Sequence, residues 1–250
     1  MSSNVHGVRR AIEDKCASMG AVAFGVVSID RLDALKRVRI EEGAVDKWSI
    51  KAGSLLPGAK SLVLFAIRTM DDADDLEIRR GEGVYEYPGY ALLHVIQSEV
   101  IWLLRKGGYK AEPLSELVPH KRAAVLAGFG CYGKNSMILH PRYGLTLRLY
   151  GVVTDAKLRE SKPFEGDLCK DCDRCVRACP TKVLEPYVMT NPRKCLVDVR
   201  ESKSIDRKLK RIVEKHEPML TPNSWKMCTV CQMVCPFTPL ERKRGRIPGT

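Results

Sequence analysis

Cys169-Lys170-Asp171-Cys172-Asp173-Arg174-Cys175-Val176-Arg177-Ala178-Cys179-Pro180 is the stretch that decides how the last third of this chain folds. Three thiols recur with two residues between them, a fourth follows after three more, and proline comes next. This is the spacing that holds iron–sulfur clusters. Three thiolates on one tight loop reach three irons of a single cubane. The fourth is displaced along a helix and points toward a neighbouring cluster. The proline turns the chain away and offers no N–H.

A second, interrupted copy lies downstream as Cys228-x2-Cys231-x3-Cys235-Pro236, with Cys195 placed 33 residues before Cys228. Crossed ligation then predicts two sets. One [4Fe–4S] cluster takes Cys169, Cys172, Cys175 and Cys235; the other takes Cys179, Cys195, Cys228 and Cys231. The segments 181–194 and 197–226 are expected to be inserted, mostly helical material. Zinc is the competing reading, because paired C-x2-C motifs suit a tetrahedral ion. It leaves the two C-x3-C-P endings and the unbroken first run without a reason. Two neighbouring cubanes suit single-electron transfer.

Outward from the cysteines, the bulk numbers set bounds. A chain of 250 residues is long enough for one large domain or a medium one plus a small one. With 44% hydrophobic but only 6% aromatic residues, the core is expected to be mostly aliphatic. The net charge of +12 suits solubility alone, or an acidic partner such as nucleic acid, an anionic cofactor or an acidic redox protein. The longest apolar stretch, 62–67, is far short of the ~20 residues a spanning helix needs, so no membrane association is expected. Arg9-Arg10 is followed by Ala11-Ile12-Glu13-Asp14-Lys15 rather than an apolar region, so no signal peptide is read and a cytoplasmic location is expected. In that compartment ten cysteines point to metal ligation rather than disulfides.

Cysteine usage divides the chain into 1–160, with only Cys16 and Cys131, and 161–250 with the other eight. The segment 161–167 reads as the linker. In the first part, periodicity predicts helices over 6–19, 89–106 and 121–127, and strands over 21–27, 61–69 and 145–153. Ser28 is placed as the cap of a helix running through Leu32, Leu35 and Val38. Cys16 falls on the apolar side of the first helix, as a buried structural thiol does. The acidic run 71–75 reads as a solvated loop, and 241–246 as a basic tail.

The glycine-rich loop Gly128-Phe129-Gly130-Cys131-Tyr132-Gly133-Lys134-Asn135-Ser136 is the second feature that suggests chemistry. Glycine permits positive φ and close approach of the backbone to a ligand. Lys134 and Asn135 add donors for an anionic or amide-rich ligand. No good strand precedes the loop and no acidic residue stands about 20 positions later, so a Rossmann reading is poor. A plain structural turn is the alternative.

The loop, Tyr143-Gly144, Val153-Thr154-Asp155, the double cysteine motif and the segment 55–63 together resemble epoxyqueuosine reductase. More distantly they resemble the corrinoid and iron–sulfur core of reductive dehalogenases. The resemblance implies an α+β architecture: a nitroreductase-like α/β cofactor domain over 1–160, followed by a ferredoxin-like double-cluster domain over 161–250. It implies cobalamin bound base-off, lined by Gly128, Gly130, Cys131, Gly133, Lys134, Asn135 and Ser136, with clusters feeding electrons to cobalt. The main expectation is therefore an iron–sulfur reductase that delivers electrons to a corrinoid to reduce an unknown substrate. The alternatives are epoxyqueuosine reductase acting on tRNA, and an electron-transfer or activator protein without a corrinoid. Expected partners are a ferredoxin or flavodoxin as electron donor, and tRNA or a corrinoid protein. Two departures stand out. The family's proton-donating Asp falls near Leu114, leaving Glu116 and His120 as nearby acid–base candidates. Cys131 stands where the family usually has Trp. Cys131 and Tyr132 complete the catalytic candidates.

Overall fold

The computed structural model describes residues 2–42, 45–82, 84–199 and 206–239; the basic tail 241–246 lies outside the described residues. Helix α1 (Ser2–Ser18) leads to strand β1 (Ala23–Ser28) and helix α2 (Ile29–Asp33). Strands β2 (Arg39–Glu42) and β3 (Val45–Trp48) form a hairpin. Then come β4 (Ser61–Arg68), β5 (Leu76–Gly81), β6 (Val84–Glu86), α3 (Ala91–Lys106) and β7 (Ala111–Pro113). Helix α4 (His120–Leu126), β8 (Cys131–Tyr132), β9 (Ile138–Leu139) and β10 (Leu147–Thr154) close the first part. The second part holds α5 (Arg174–Ala178), β11 (Leu184–Glu185), β12 (Val188–Met189), α6 (Leu196–Val199) and α7 (Arg207–His216). It ends with β13 (Met219–Thr221), β14 (Ser224–Lys226) and α8 (Val230–Met233).

Strand β4 organises the first part. It sits between β1 and β10, antiparallel to both, and β7 adds beyond β10 in the order β1-β4-β10-β7. Side chains alternate along a strand, so Leu62, Leu64 and Ala66 face one layer while Val63, Phe65 and Ile67 face the other. The first layer meets Ile29 and Leu32 of α2 and Ala123 and Ala124 of α4. The second meets Ile12 and Cys16 of α1 and Leu93, Ile96, Val100 and Leu104 of α3. A strand covered on both faces needs an unbroken apolar run, and β4 has one. Full burial of each large aliphatic side chain here stabilises by about 1.5–3 kcal/mol. Burial, followed by the nearby Glu13, pushes the Cys16 thiol up to about 12, which keeps it neutral and inert.

Four local expectations need correction. Helix α2 ends at Asp33 instead of running through Leu35 and Val38. Leu35 is exposed, and the Asp33 carboxylate accepts from the amides of Ala52 (2.7 Å) and Gly53 (2.9 Å), which fixes a turn there. Ser28 does stand at the N-cap of α2, but its side chain makes no capping bond. The inserted segment 181–194 is a hairpin of β11 and β12 rather than a helix. The acidic run 71–75 is a 3-10 turn closed by a capping box between Asp71 and Asp74, and Asp75 is 3% exposed. Its neighbours explain the burial. The Arg148 guanidinium lies against Asp75 at 3.4 Å, and the Met227 amide donates to the Asp75 carbonyl at 2.9 Å.

That last contact belongs to a larger one. Strands β13 and β14 of the second part join β5 and β6 of the first in a single four-stranded sheet, ordered β13-β14-β5-β6. Trp225 stands opposite Glu77, and its ring meets Tyr85 edge-on at 6.3 Å. The segment expected as a linker is pinned as well: the Ser161 hydroxyl accepts from the Val26 amide, and the Phe164 amide donates to the Val125 carbonyl. Among the described residues no helix is long and apolar enough to cross a membrane.

Candidate functional site

Helices α5 and α8 pack together and carry the cysteine motifs past one another. Cys175 and Cys235 each lie within electrostatic range of Cys169, and Cys235 also of Cys172. Cys228 lies in range of Cys195 and Cys179, and Cys231 in range of Cys228 and Cys195. The thiols thus gather in two groups. Cys231 also senses Cys175, so the two groups adjoin. All ten cysteines are free thiols.

Burial dominates their chemistry. It pushes Cys228 up to about 11 and Cys231 up to about 12, and neighbouring thiols add to both. Burial also raises Cys169, Cys175 and Cys235. Cys179 goes the other way: burial opposes ionisation there, but the Val183 amide and the Thr181 hydroxyl and amide outweigh it. Cations bound at these thiols would offset the burial that favours the neutral form of Cys169, Cys175, Cys228, Cys231 and Cys235. Among the described residues no three His, Cys, Asp or Glu side chains converge as the ligands of one ion do. Eight cysteine thiols in two adjoining groups are a donor set that fits two iron–sulfur clusters.

The glycine-rich loop sits over these thiols. Gly130 has φ 153° and an added Cβ would lie 2.1 Å from the Leu139 carbonyl oxygen; at Gly128, φ 86°, it would lie 2.5 Å from that of Lys162. The close approaches that need glycine are therefore to the chain's own backbone. Gly133, Asn135 and Ser136 are buried. The Lys134 ammonium donates to the Lys170 carbonyl, and the Tyr187 amide donates to the Lys134 carbonyl at 3.3 Å. Lys134 thus reaches into the cysteine-bearing part.

A cleft of about 390 Å³ opens beside the loop, lined by Val125, Cys131, Tyr132, Phe164, Gly166, Asp167 and Tyr187. Lys134 and Asn135 are not in its lining. The Cys131 sulfur accepts from the Leu168 amide at 3.4 Å and neighbours Cys169, so the cleft abuts the first thiol group. Burial raises the Cys131 thiol. At the mouth the Tyr187 hydroxyl donates to Asp167 at 2.5 Å. This bond holds the Asp167 carboxyl below its usual range and pushes Tyr187 up to about 12.

The acid–base candidates collect elsewhere, around Tyr150 of β10. Leu114 is buried in the core, so no carboxylate stands at that position. His120, at the start of α4, stacks on Tyr150 with ring centroids 6.3 Å apart, and His94 of α3 lies at 5.0 Å. Burial, helped by Lys121, lowers His120 to about 4, so it is neutral near pH 7. Burial and then Glu116 raise Tyr150, which keeps its proton. The sequence candidates Glu116 and His120 lie near Tyr150 and His94, which the sequence did not single out and which only the α3–β10 packing brings there. The alternation of β10 gave no polar signal at Tyr150.

Comparison with known proteins supplies the context. Residues 168–238 match the model of a 4Fe-4S double cluster binding domain, so the chain carries a double iron–sulfur cluster domain. The chain is 25% identical over 257 residues to epoxyqueuosine reductase of Bacillus subtilis, covering 94% of this chain and 64% of that enzyme. Its fold matches a solved structure of epoxyqueuosine reductase from Bacillus subtilis with TM-score 0.71 at 19% identity, over 96% of this chain and 68% of that one. It matches epoxyqueuosine reductase bound to an epoxyqueuosine-modified tRNA stem loop with TM-score 0.67 at 20% identity, over 96% of this chain and 66% of that one. A reductive dehalogenase, whose structure suggested a mechanism for B12-dependent dehalogenation, matches with TM-score 0.57 at 17% identity, over 94% of this chain and 32% of that one. The α+β architecture and the resemblance drawn from the loop and the cysteines are borne out. The main functional expectation, a corrinoid-delivering reductase of unknown substrate, is contradicted: the curated relatives are named epoxyqueuosine reductases and one such enzyme is solved with a tRNA stem loop, which favours the alternative reading.

Proposed function

We propose that this chain is an oxidoreductase of the epoxyqueuosine reductase type, acting on a modified base in tRNA. The observation that carries this reading is the continuous likeness to the Bacillus subtilis enzyme, which covers 94% of this chain. In the proposal Cys169, Cys172, Cys175 and Cys235 hold one [4Fe–4S] cluster, and Cys179, Cys195, Cys228 and Cys231 hold the other. When bound, these clusters supply single electrons. The cleft walled by Cys131, Tyr132, Phe164, Asp167 and Tyr187 abuts the first set and offers a flat, amide-edged cofactor both apolar contact and polar partners. We assign the corrinoid of this reading to that cleft, with Lys134 and Asn135 taking no part in holding it.

A reduction also needs a proton. With Leu114 apolar, the proton source in this reading falls to Tyr150, which burial and then Glu116 keep protonated and on which neutral His120 stacks. Helix α7 supports nucleic acid as the partner. Its apolar residues Leu209, Ile212 and Val213 pack toward Leu196 and Cys228, while Arg207, Lys208, Lys210, Arg211 and Lys215 are exposed. Such a face neutralises phosphates.

The test is a turnover assay. Cluster-loaded protein, supplied with reductant and cobalamin, is incubated with a tRNA stem loop carrying epoxyqueuosine, and the nucleosides are read by mass spectrometry. Conversion to the reduced base is expected. No conversion by a protein holding about eight irons, the content of two [4Fe–4S] clusters, removes the reading.

A further inference from the structure

We propose that Trp48, on strand β3, is a stacking platform for an unpaired base of the tRNA loop, set in a basic band that continues the exposed face of α7. This rests on the reading of tRNA as the substrate, and it adds a residue that meets a base rather than the phosphate backbone.

Trp48 is 55% exposed. Single exposed apolar side chains are common on protein surfaces and by themselves mean little. Three features set this one apart. The first is a fixed backbone. Ser49, the next residue, is buried; its hydroxyl accepts from the Val38 amide at 3.0 Å, and its amide donates to the Val38 carbonyl at 2.8 Å. The Arg37 guanidinium donates to the Ser49 carbonyl at 2.6 Å. The Ile50 amide donates to the Leu117 carbonyl at 3.0 Å, and the Arg122 guanidinium donates to the Lys36 carbonyl at 2.7 Å, which ties the base of the hairpin to the start of α4. With Ser49 turned inward, strand alternation turns Trp48 outward. The indole is therefore presented on ordered chain, and a base can stack on it without a loop having to order first.

The second feature is charge. Trp48 stands opposite Arg39 across the hairpin, and Lys47 precedes it; both basic residues are exposed. The acidic residues Glu41 and Asp46 face each other nearer the tip, followed by Glu42. The third feature is position. Strand β2 lies against the 3-10 turn Pro192–Lys194, whose Arg193 and Lys194 are exposed. That turn leads through Cys195 into α6, where Leu196 packs against Leu209 and Val213 of α7. Positive charge thus continues from α7 through Arg193 and Lys194 to Trp48. Single-stranded RNA is held in this way, with bases stacked on aromatic rings while flanking Lys and Arg take the phosphates. A surface that met only a duplex would have no use for the indole.

The experiment is anaerobic equilibrium binding of the cluster-loaded protein to a labelled tRNA stem loop over a range of salt. Trp48→Ala is expected to weaken binding about tenfold, the worth of one stacked base, with the salt slope unchanged because no phosphate contact is lost. Trp48→Tyr is expected to keep most of the affinity. Trp102, 53% exposed on α3, is the matched control, and Trp102→Ala is expected to bind as the wild type does. On a fully paired RNA duplex of the same length, the loss in Trp48→Ala is expected to vanish. Wild-type affinity in Trp48→Ala overturns the proposal, and loss of self-association in that variant would then assign the face to a second copy of the chain. A loss as large on the duplex as on the loop, or as large in Trp102→Ala, overturns it too. A wild-type protein that does not bind the stem loop at all instead removes the reading of tRNA as substrate.

Discussion

Removal of the Asp75 carboxylate is expected to unfold the seam between the two parts of the chain before it touches any cysteine. The side chains of Arg148 and Asp75 are 12% and 5% exposed, and their Nη2–Oδ1 distance is 3.4 Å. The same guanidinium donates to the Asp74 carbonyl and lies 4.7 Å from the Tyr90 ring centroid. Asp75→Ala leaves that cation buried without its carboxylate. Breaking a buried pair from one side costs about 3–5 kcal/mol, against about 0–1 kcal/mol for an exposed pair. Unfolding entropy of about 2.1 cal/mol/K per residue makes this a fall of roughly 6–10 °C in Tm for a chain of this length. The assay is anaerobic urea or thermal unfolding read by far-ultraviolet circular dichroism. Asp75→Leu combined with Arg148→Met removes both charges and is expected to recover most of the loss, since buried pairs are often replaceable by apolar groups. A single-variant loss under about 1 kcal/mol, or a double variant as costly as the sum of the two singles, refutes the reasoning.

Three further outcomes are expected. His120 has a folded pKa of about 4 against an ordinary 6.5, so the unfolded chain binds the proton first and stability falls as pH drops from 6.5 toward 4. Between about pH 7 and about pH 5.5, His120→Leu should lose roughly 1 kcal/mol less than the wild type in denaturant titrations; equal losses sink the assignment. Tyr150→Phe should lower turnover on the modified stem loop by about 10²-fold or more while leaving iron content and tRNA affinity unchanged, and wild-type turnover in this variant excludes Tyr150 as proton source. Arg207, Arg211 and Lys215 recur every four residues along one stripe of α7, opposite Leu209 and Val213. Changing all three to Glu should weaken tRNA stem-loop binding and flatten its dependence on salt by about 0.7–0.9 per lost phosphate contact; an unchanged slope shows that the stripe does not meet the backbone.

The sequence by itself determined the elements whose signal is local. The spacing of Cys169 to Pro180 specified a cluster loop, because three ligands within seven residues leave the chain little choice of geometry. The apolar run in β4 and the 3.6-residue period of α3 predicted a doubly covered strand and its covering helix, since burial imposes those periods directly. The two motifs also led to the expectation of a crossed grouping of Cys179 and Cys235. Tertiary structure alone decided what depends on residues distant in sequence. Asp71 to Asp75 looks like solvent-facing charge until Arg148 and Met227 arrive from β10 and the second part. Strands β5 and β14 are three residues or more of unremarked sequence each, and backbone ladder hydrogen bonds carry no side-chain signature to announce their partner. The glycine-rich loop was legible as a close-approach segment, but what it approaches was not. Glycine reports only that a Cβ will not fit, and here the neighbours are the chain's own carbonyls.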